Sequence, residues 1–248
     1  MNHHQCLLDK LDLQSGQSVC DLGCGRGSFF TEILEKIGEN GTVLGLDSDQ
    51  PSLDQIAHTH ENFIRAQRAK TLHHDLSNTL PLKSQSFDRV LCHNVLECLN
   101  PERYVPIINE VCDLLQDGGV FVLSHMDFAS ALYNHSDIEL TRKLIHHFAD
   151  TKQDWQQYHD GQIGRKLSGI AKQSCFKNMT AFAFLIDEIA YAPKTYGYQM
   201  SEWIVSIANQ SKSFAASDLK KWKDELANFS KKDQYFFSIQ VMGVILKK

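Results

Sequence analysis

The chain lacks the long apolar segments and biased composition of membrane and fibrous proteins. Its longest uninterrupted apolar run, Ala181–Ile186, has six residues, whereas a helix that spans a bilayer needs about 20. Met1–Gln5 has no basic segment followed by an apolar core, so we expect no export signal. Only 5 prolines and 14 glycines occur among 248 residues, which excludes collagen-like and Pro-rich chains. We therefore expect a folded, soluble protein of the cytoplasm.

Cysteine pairs and excess positive charge are also missing. The 7 cysteines are an odd number without a C-x-x-C pair, so we expect reduced thiols and neither a disulfide framework nor a thiolate zinc site. The 25 basic residues are outnumbered by 30 acidic ones, which gives a formal charge of -5. Proteins that bind nucleic acid through its phosphates usually carry a basic cluster. We expect no nucleic acid and no metal; the oligomeric state stays open.

Short apolar runs alternate with helical patterns up to about residue 125. This rhythm is typical of a parallel sheet with helices on both faces, whose ligands bind at the carboxyl ends of the strands. No linker or internal repeat divides the chain, so we expect one domain over residues 1–248. The predicted strands include Ser18–Leu22, Thr42–Leu46, Thr71–His74, Phe87–Cys92 and Val120–Leu123, with helices over 28–37, 50–60 and 101–115.

Particular residue types mark the expected helix boundaries. Asp49, followed by Pro51, is typical of a helix start, and Asn100 with Pro101 repeats the pattern. Asn40-Gly41 is expected to end the helix predicted over 28–37.

The alternation of short apolar runs and helical patterns stops in the second half of the chain. Residues 128–178 are polar, aromatic and mostly helical in pattern, and we interpret them as a helical lid inserted between the fifth and sixth strands. Two further strands are predicted over 180–189 and 235–246, separated by helices over about 199–209 and 217–228.

The most informative segment is the glycine-rich loop after the first strand. Gly23, Gly25 and Gly27 follow Asp21-Leu22, and glycine allows a tight turn and a close approach of the backbone to a ligand. The dinucleotide fingerprint G-x-G-x-x-G would need a third glycine at position 28, where Ser28 stands. The spacing therefore favours a ligand without a pyrophosphate.

Acidic residues follow the next two strands. Asp47 ends the second strand and can accept both hydroxyls of a ribose, as the acid does in dinucleotide folds. Asp75 follows the third strand and can accept an exocyclic amine such as that of adenine, while the amide of Leu76 donates to a ring nitrogen.

These motifs, together with Phe87–Val90 and Asp117–Gly119, resemble the class I S-adenosylmethionine-dependent methyltransferases, in the small-molecule branch similar to ubiquinone and menaquinone biosynthesis methyltransferases. The resemblance covers roughly residues 5 to 127 strongly and is weak beyond them. It implies S-adenosyl-L-methionine as cofactor. It also implies an α/β, Rossmann-like fold with a seven-stranded, mostly parallel sheet and an antiparallel last strand.

The resemblance also implies roles for individual residues. The three glycines would line the methionine and ribose, Asp21 would fix the loop or bind the amino group through water, and Asp47 would hold the ribose. His93 and Asn94 would face the sulfonium. The complete cofactor-binding set is Asp21, Gly23, Cys24, Gly25, Gly27, Asp47, Ser48, Asp75, Leu76, His93 and Asn94. Many relatives have His where this chain has Cys98, which bears on the polarity of the pocket.

The acceptor side is less defined by the sequence. Methyl transfer needs alignment, and a general base only when the acceptor must lose a proton. Asp127, His125 and His93 are the candidate catalytic residues, with Asp127 preferred to His125, and the first two are expected in a loop after the fifth strand. The candidate substrate-binding residues are Tyr133, Trp155, Tyr158 and Arg165.

Simpler interpretations remain open for these residues. The aromatic side chains could form the core of the lid, and Arg165 could pair with Asp160 or Asp154 instead of an acceptor carboxylate. Two other functions also stay open: a regulatory protein that binds S-adenosylmethionine or S-adenosylhomocysteine without turnover, and an NAD-dependent oxidoreductase.

Overall fold

Strands and helices alternate along residues 3–248, which are the residues that the computed structural model describes. Among them no helix is both long enough and apolar enough to cross a membrane. In chain order the elements are α1 (His3–Leu11), β1 (Ser18–Leu22), α2 (Phe30–Ile37), β2 (Thr42–Asp47), α3 (Gln50–Thr59), α4 (Glu61–Arg65), β3 (Ala69–His73), β4 (Phe87–His93), α5 (Tyr104–Leu114), β5 (Leu115–Tyr133), α6 (Ile138–Asp150), α7 (Leu167–Ala171), β6 (Asn178–Glu188), α8 (Tyr196–Gln210), α9 (Ala216–Lys231) and β7 (Phe237–Lys247). Short 3-10 helices cover Leu96–Cys98, Pro101–Arg103 and Ile163–Lys166.

The seven strands form one sheet in the order β3-β2-β1-β4-β5-β7-β6. The sheet is mostly parallel and its last strands are antiparallel, which confirms the predicted Rossmann-like α/β fold. In the parallel part, Leu22 at the end of β1 lies opposite Leu46 of β2 and Cys92 of β4. The chain order reverses on the two sides of β1, so the loop after β1 lies where ligands bind in such sheets.

Two helix starts that the sequence indicated, at Asp49 and Asn100, are found in the structure. Asp49 caps α3 by accepting a hydrogen bond from the amide of Ser52, and Asn100 accepts one from the amide of Glu102. The end of α2 differs from the prediction, because Gly38, with φ of +64°, caps the helix ahead of Asn40-Gly41. A glycine directly after the last helical residue adopts this positive φ without strain.

Strand β5 is longer than the sequence predicted. It covers Leu115–Tyr133 and includes Asp117–Gly119, where Gly118 has φ of +79° and the pairing with β4 shifts in register. His125 and Asp127 therefore lie in a strand, and the expectation of a loop is wrong. The polar residues suggested a loop, but they are buried in β5 because each has a polar partner, as described below.

The segment 128–178 begins with the end of β5, so its helical part starts later than expected. It continues with α6, non-helical chain over 151–162, a 3-10 helix and α7. Its role as a lid stays a prediction.

The chain divides into two compact units. The first consists of the chain up to His125, Lys166–Phe182 and Gly243–Lys248. Its helix α2 buries Phe30, Ile33, Leu34 and Ile37. This i, i+3, i+4, i+7 spacing places all four side chains on one helix face.

The second unit consists of Met126–Arg165 and Ala183–Met242. Trp222 of α9 is fully buried in it, and the indole Nε1 donates a hydrogen bond of 2.9 Å to the hydroxyl of Thr141. The ring of Tyr133 packs edge-on against Trp222 at 5.4 Å between centroids. Buried aromatic side chains with satisfied polar groups thus organise this core.

Candidate functional site

The glycine-rich loop joins β1 to α2 in the first unit. Gly23 and Gly27 have φ values of +71° and +73°. A Cβ on Gly23 would collide with the side chain of Val95, and one on Gly27 would lie 2.8 Å from Cγ1 of Ile56. A Cβ on Gly25, with φ of +50°, would meet open space. Two glycines thus allow close packing of the loop, while the third faces a region open to a ligand.

Hydrogen bonds tie the loop to the end of β2. The amide of Cys24 donates to the carbonyl of Leu46 at 3.0 Å. One carboxylate oxygen of Asp47 accepts from the amide of Gly25 at 2.7 Å, and the other accepts from Asp49 at 2.9 Å. Each carboxylate oxygen can accept more than one hydrogen bond. Asp47 is half-buried, so it can both hold the loop and receive ligand hydroxyls.

Asp21 is the buried acid of the site. It is 2% exposed, and its Oδ2 has no hydrogen-bond partner within residues 3–248. Burial, followed by repulsion from Asp47, raises the pKa of Asp21 to about 7. A buried carboxylate without a partner is costly unless a positive or hydrogen-bonding group joins it. Asp21 therefore suits a ligand with a cationic or donor group.

The residues that follow β2 and β3 lie at the same sheet edge, because these strands pair in parallel. Asp75 is exposed, and one of its oxygens accepts from the amide of Ser77 at 2.9 Å. Leu76 is buried, and its carbonyl accepts from Nε of Arg103 at 2.9 Å. Ser48 is exposed directly after Asp47. Asp75 retains acceptor capacity, and Leu76 is held firmly beside it.

The end of β4 presents His93 and Asn94. The Nδ1 of His93 lies 2.9 Å from the hydroxyl of Ser124 in β5. Asn94 has φ of +57°, and its amide donates to the carbonyl of Ser124 at 3.0 Å. The ring of Phe29, next to the glycine loop, lies edge-on to His93 at 5.9 Å. The structure thus brings His93 together with the loop after β1.

The other two candidate catalytic residues are both buried in β5. His125 is 1% exposed, and its Nε2 lies 3.8 Å from a carboxylate oxygen of Glu97. In the second unit Asp127 is fully buried, and both of its oxygens accept from Arg165, at 2.5 and 2.7 Å. This bidentate pair raises the pKa of the Arg165 guanidinium. Arg165 therefore pairs with Asp127, a partner that the sequence did not suggest.

The three aromatic candidates of the second unit have different environments. Tyr133 is buried, and its hydroxyl donates to the carbonyl of Gly197 at 2.7 Å. Trp155 is 74% exposed and Tyr158 is 39% exposed. Tyr133 thus has a packing role in this structure, while Trp155 and Tyr158 present accessible rings.

Sequence reasoning gave no role to Gly45, in the middle of β2. A Cβ there would lie 2.7 Å from both the sulfur of Cys24 and the ring of Phe30. Glycine at this position therefore lets the loop and α2 pack on β2. A lone glycine within a strand is a signal of such a close approach. Cys24 is explained by the same contact, because its side chain is buried.

Solved structures with this fold cover nearly the whole chain. The YcgJ protein from Bacillus subtilis aligns over 100% of this chain and 99% of its own, with a TM-score of 0.63 and 13% identity. A cyclopropane synthase from Mycobacterium tuberculosis aligns over 99% and 83%, with a TM-score of 0.57 and 13% identity. These similarities show the fold alone.

Sequence relatives match shorter segments. An uncharacterized 37.1 kDa protein in a transposon of Streptomyces fradiae is 28% identical over 71% of this chain and 48% of its own length. A demethylmenaquinone methyltransferase from Shouchella clausii is 30% identical over 46% of this chain and 47% of its own length. The chain thus spans about half the length of these two relatives.

A family model adds a match in the region that contains the site. The model describes a methyltransferase domain and matches residues 13–183. These residues include the glycine-rich loop, His93 and three acids at strand ends, which are Asp21 in β1, Asp47 at the end of β2 and Asp75 after β3. Because the match covers more than half of the chain, this protein belongs to the methyltransferase domain family.

Proposed function

We propose that this chain binds S-adenosyl-L-methionine beside the glycine-rich loop and transfers the methyl group to oxygen, nitrogen or carbon of a small-molecule acceptor. One observation carries the proposal. Asp21 is a buried carboxylate with an oxygen that lacks a partner in residues 3–248, and it lies next to a loop that is open at Gly25. A cationic ligand with hydroxyl groups fits this combination of charge, donors and open space.

The chain's own residues suit each part of such a ligand. Asp47, held by the amides of Gly25 and Asp49, accepts the ribose hydroxyls. Asp75 accepts the adenine amine and the amide of Leu76 donates to a ring nitrogen, while Ser48 lies between the two acidic positions. Asp21 supplies negative charge for the amino group. Gly23, Cys24 and Gly27 shape the loop, and His93 and Asn94 lie at the reacting end.

The bound cofactor supplies a methyl group on a cationic sulfur. The chain contributes alignment of the acceptor and exclusion of water, which are the main requirements of a displacement reaction. We propose that residues 128–178 form a lid that aligns the acceptor and excludes water.

On the acceptor side, Trp155 and Tyr158 offer rings that can stack on a planar or cationic acceptor. Arg165 is 46% exposed at its side chain and is oriented by Asp127, so it can also bind an anionic group of the acceptor. Tyr133 packs in the core of this unit. Both oxygens of Asp127 accept hydrogen bonds from Arg165. We therefore propose that Asp127 orients Arg165, and we keep His125 and His93 as the candidate residues for proton transfer.

The structure forms no disulfide among the seven cysteines, all of which lie within the described residues. Reduced cysteines are typical of proteins in a reducing compartment, and we propose that the chain acts in the cytoplasm on a small molecule.

Radiolabel transfer tests the proposed function. The chain is incubated with S-adenosyl-L-methionine labelled in the methyl group and with a deproteinised metabolite extract. We expect label in a small-molecule product and no transfer by Asp21→Ala or Asp47→Ala. A folded chain that binds the cofactor but yields no labelled product from extracts of several growth conditions would contradict catalysis and favour a regulatory role.

A further inference from the structure

His93 occupies a special place in the first unit, at the tip of β4. Leu22 of β1 and Cys92 of β4 lie opposite each other in the sheet, so Gly23 and His93 follow the two strands at the same edge. The ring of His93 packs among aromatic neighbours, with its centroid 5.9 Å from that of Phe29 and 6.4 Å from that of His3 in α1. His93 therefore lies beside the proposed cofactor loop as a half-buried residue.

The two nitrogens of His93 have different environments. Nδ1 lies 2.9 Å from the hydroxyl of Ser124, which is 1% exposed. Nε2 is buried and has no hydrogen-bond partner within residues 3–248. A buried N–H group without an acceptor is rarely tolerated. The proton therefore belongs on Nδ1, where it is donated to Ser124, and Nε2 carries a lone pair.

The surroundings of His93 keep the ring neutral. Burial lowers the pKa of His93 well below its usual value. Electrostatic repulsion from His125 of β5 and from His3 and His4 of α1 lowers this pKa further. The acidic groups nearby face other histidines, since Glu32 lies 3.4 Å from His4 and Glu97 lies 3.8 Å from His125. A neutral ring does not repel a cationic sulfonium.

We infer that the acceptor carries an O–H or N–H group on or next to the methylated atom, and that Nε2 of His93 accepts its proton. This inference rests on the proposed function. The bond between sulfur and the methyl carbon breaks with its electron pair left on sulfur, an electron pair of the acceptor forms the new bond, and the acceptor proton moves to Nε2. The positive charge lost at sulfur reappears on His93, so the charge of the pocket is unchanged.

The inference names a substrate class. Alcohols, phenols, amines and carbon atoms next to a phenolic hydroxyl all present a proton that Nε2 can accept. An isolated alkene has no such proton and would leave the buried lone pair without a partner. Ser124 is a positioning residue here, because it fixes the tautomer through Nδ1.

Nitrogen NMR of the histidine-labelled chain tests the tautomer without any turnover. The resonances of His93 are assigned by their loss in His93→Gln. We expect a neutral ring with the proton on Nδ1 at neutral pH, and loss of that fixed tautomer in Ser124→Ala. A charged ring, or a proton on Nε2, would overturn the inference.

Kinetics test the proton transfer, with the unmethylated parent of the labelled product as acceptor. His93→Gln keeps a hydrogen-bond acceptor near the position of Nε2 but cannot take a proton, so kcat should fall about 100-fold or more. For a phenol acceptor the loss should shrink as pH rises, because its hydroxyl then ionises without the base. His58→Gln, at an exposed position of α3, is the matched control and should behave as wild type.

The position of the label provides the final test. A methyl group on a hydroxyl oxygen, on a nitrogen that carried a hydrogen, or on a carbon next to a hydroxyl supports the inference, whereas one on a carboxylate oxygen or a tertiary amine would refute it. A methyl group on a carbon without a neighbouring O–H or N–H, or wild-type kcat in His93→Gln, would refute it while leaving the proposed function intact. A wild-type chain that transfers no label would refute the proposed function and this inference with it.

Discussion

The replacement Asp21→Asn should stabilise the ligand-free protein, and it should do so more strongly at high pH. Asp21 is 2% exposed, and its pKa is raised from 3.8 to about 7, mainly by burial and then by repulsion from Asp47. Because the folded-state pKa is above the unfolded one, the stability that Asp21 contributes is full below pH 3.8 and is lost as pH rises to about 7.

The magnitude follows from the pKa difference. Raising the pKa of a carboxyl by this amount corresponds to about 4 kcal/mol against the charged form. Asparagine has nearly the same shape and no charge. We therefore expect Asp21→Asn to raise the free energy of unfolding by up to about 4 kcal/mol near pH 8, but only by about 2 kcal/mol near pH 5.

Urea denaturation of both proteins at the two pH values measures this effect, provided that the slope with denaturant is the same in each. Asp75→Asn is the matched control, because it makes the same replacement at an exposed position. The same Asp21→Asn protein should bind S-adenosylmethionine more weakly. A stabilisation that is equal at both pH values would refute the assignment of a buried, unpartnered charge to Asp21.

Two further predictions concern the loop and the ion pair. Gly23→Ala should destabilise the fold by about 2 kcal/mol more than Gly16→Ala, because both have positive φ but only the Cβ at position 23 meets a neighbour; equal losses in thermal unfolding would contradict the packing role. Arg165→Ala should cost about 2 kcal/mol, since it leaves Asp127 buried without its partner. Adding Asp127→Asn should recover most of that loss, and no recovery would contradict this cause.

The sheet and the glycine-rich loop after β1 could be predicted from the sequence because their signals are local, while the loop's role in cofactor binding stays a proposal. The glycine spacing after Leu22 and the acids at positions 21, 47 and 75 each belong to a single strand end. Parallel strands bring such ends to one edge, so a pattern in the sequence becomes a site in space.

The length of β5 and the partners of its buried polar residues could not be predicted from the sequence. Ser124, His125 and Asp127 look like loop residues because polar side chains are rarely buried in a strand. Their burial depends on His93, Glu97 and Arg165, which are distant in the sequence. Long-range pairing of this kind leaves no local pattern, and the same is true of the contact between α1 and β4.

Gly45 is an intermediate case. Its position within a strand signals a close approach, but the sequence does not say what approaches. Only the structure identifies the sulfur of Cys24 and the ring of Phe30.

Calorimetric titration with S-adenosyl-L-methionine tests the central claim most directly. We predict one bound molecule per chain, weaker binding of NAD, and a loss of about 1.5–3 kcal/mol in Asp47→Ala, the size of hydrogen bonds to a charged group. The variant should remain folded, although loss of the hydrogen bonds from the amides of Gly25 and Asp49 should lower its free energy of unfolding by about 1–3 kcal/mol. Tighter binding of NAD, or normal binding of S-adenosyl-L-methionine by Asp47→Ala, would contradict the claim that the loop and the acid after β2 form the cofactor site.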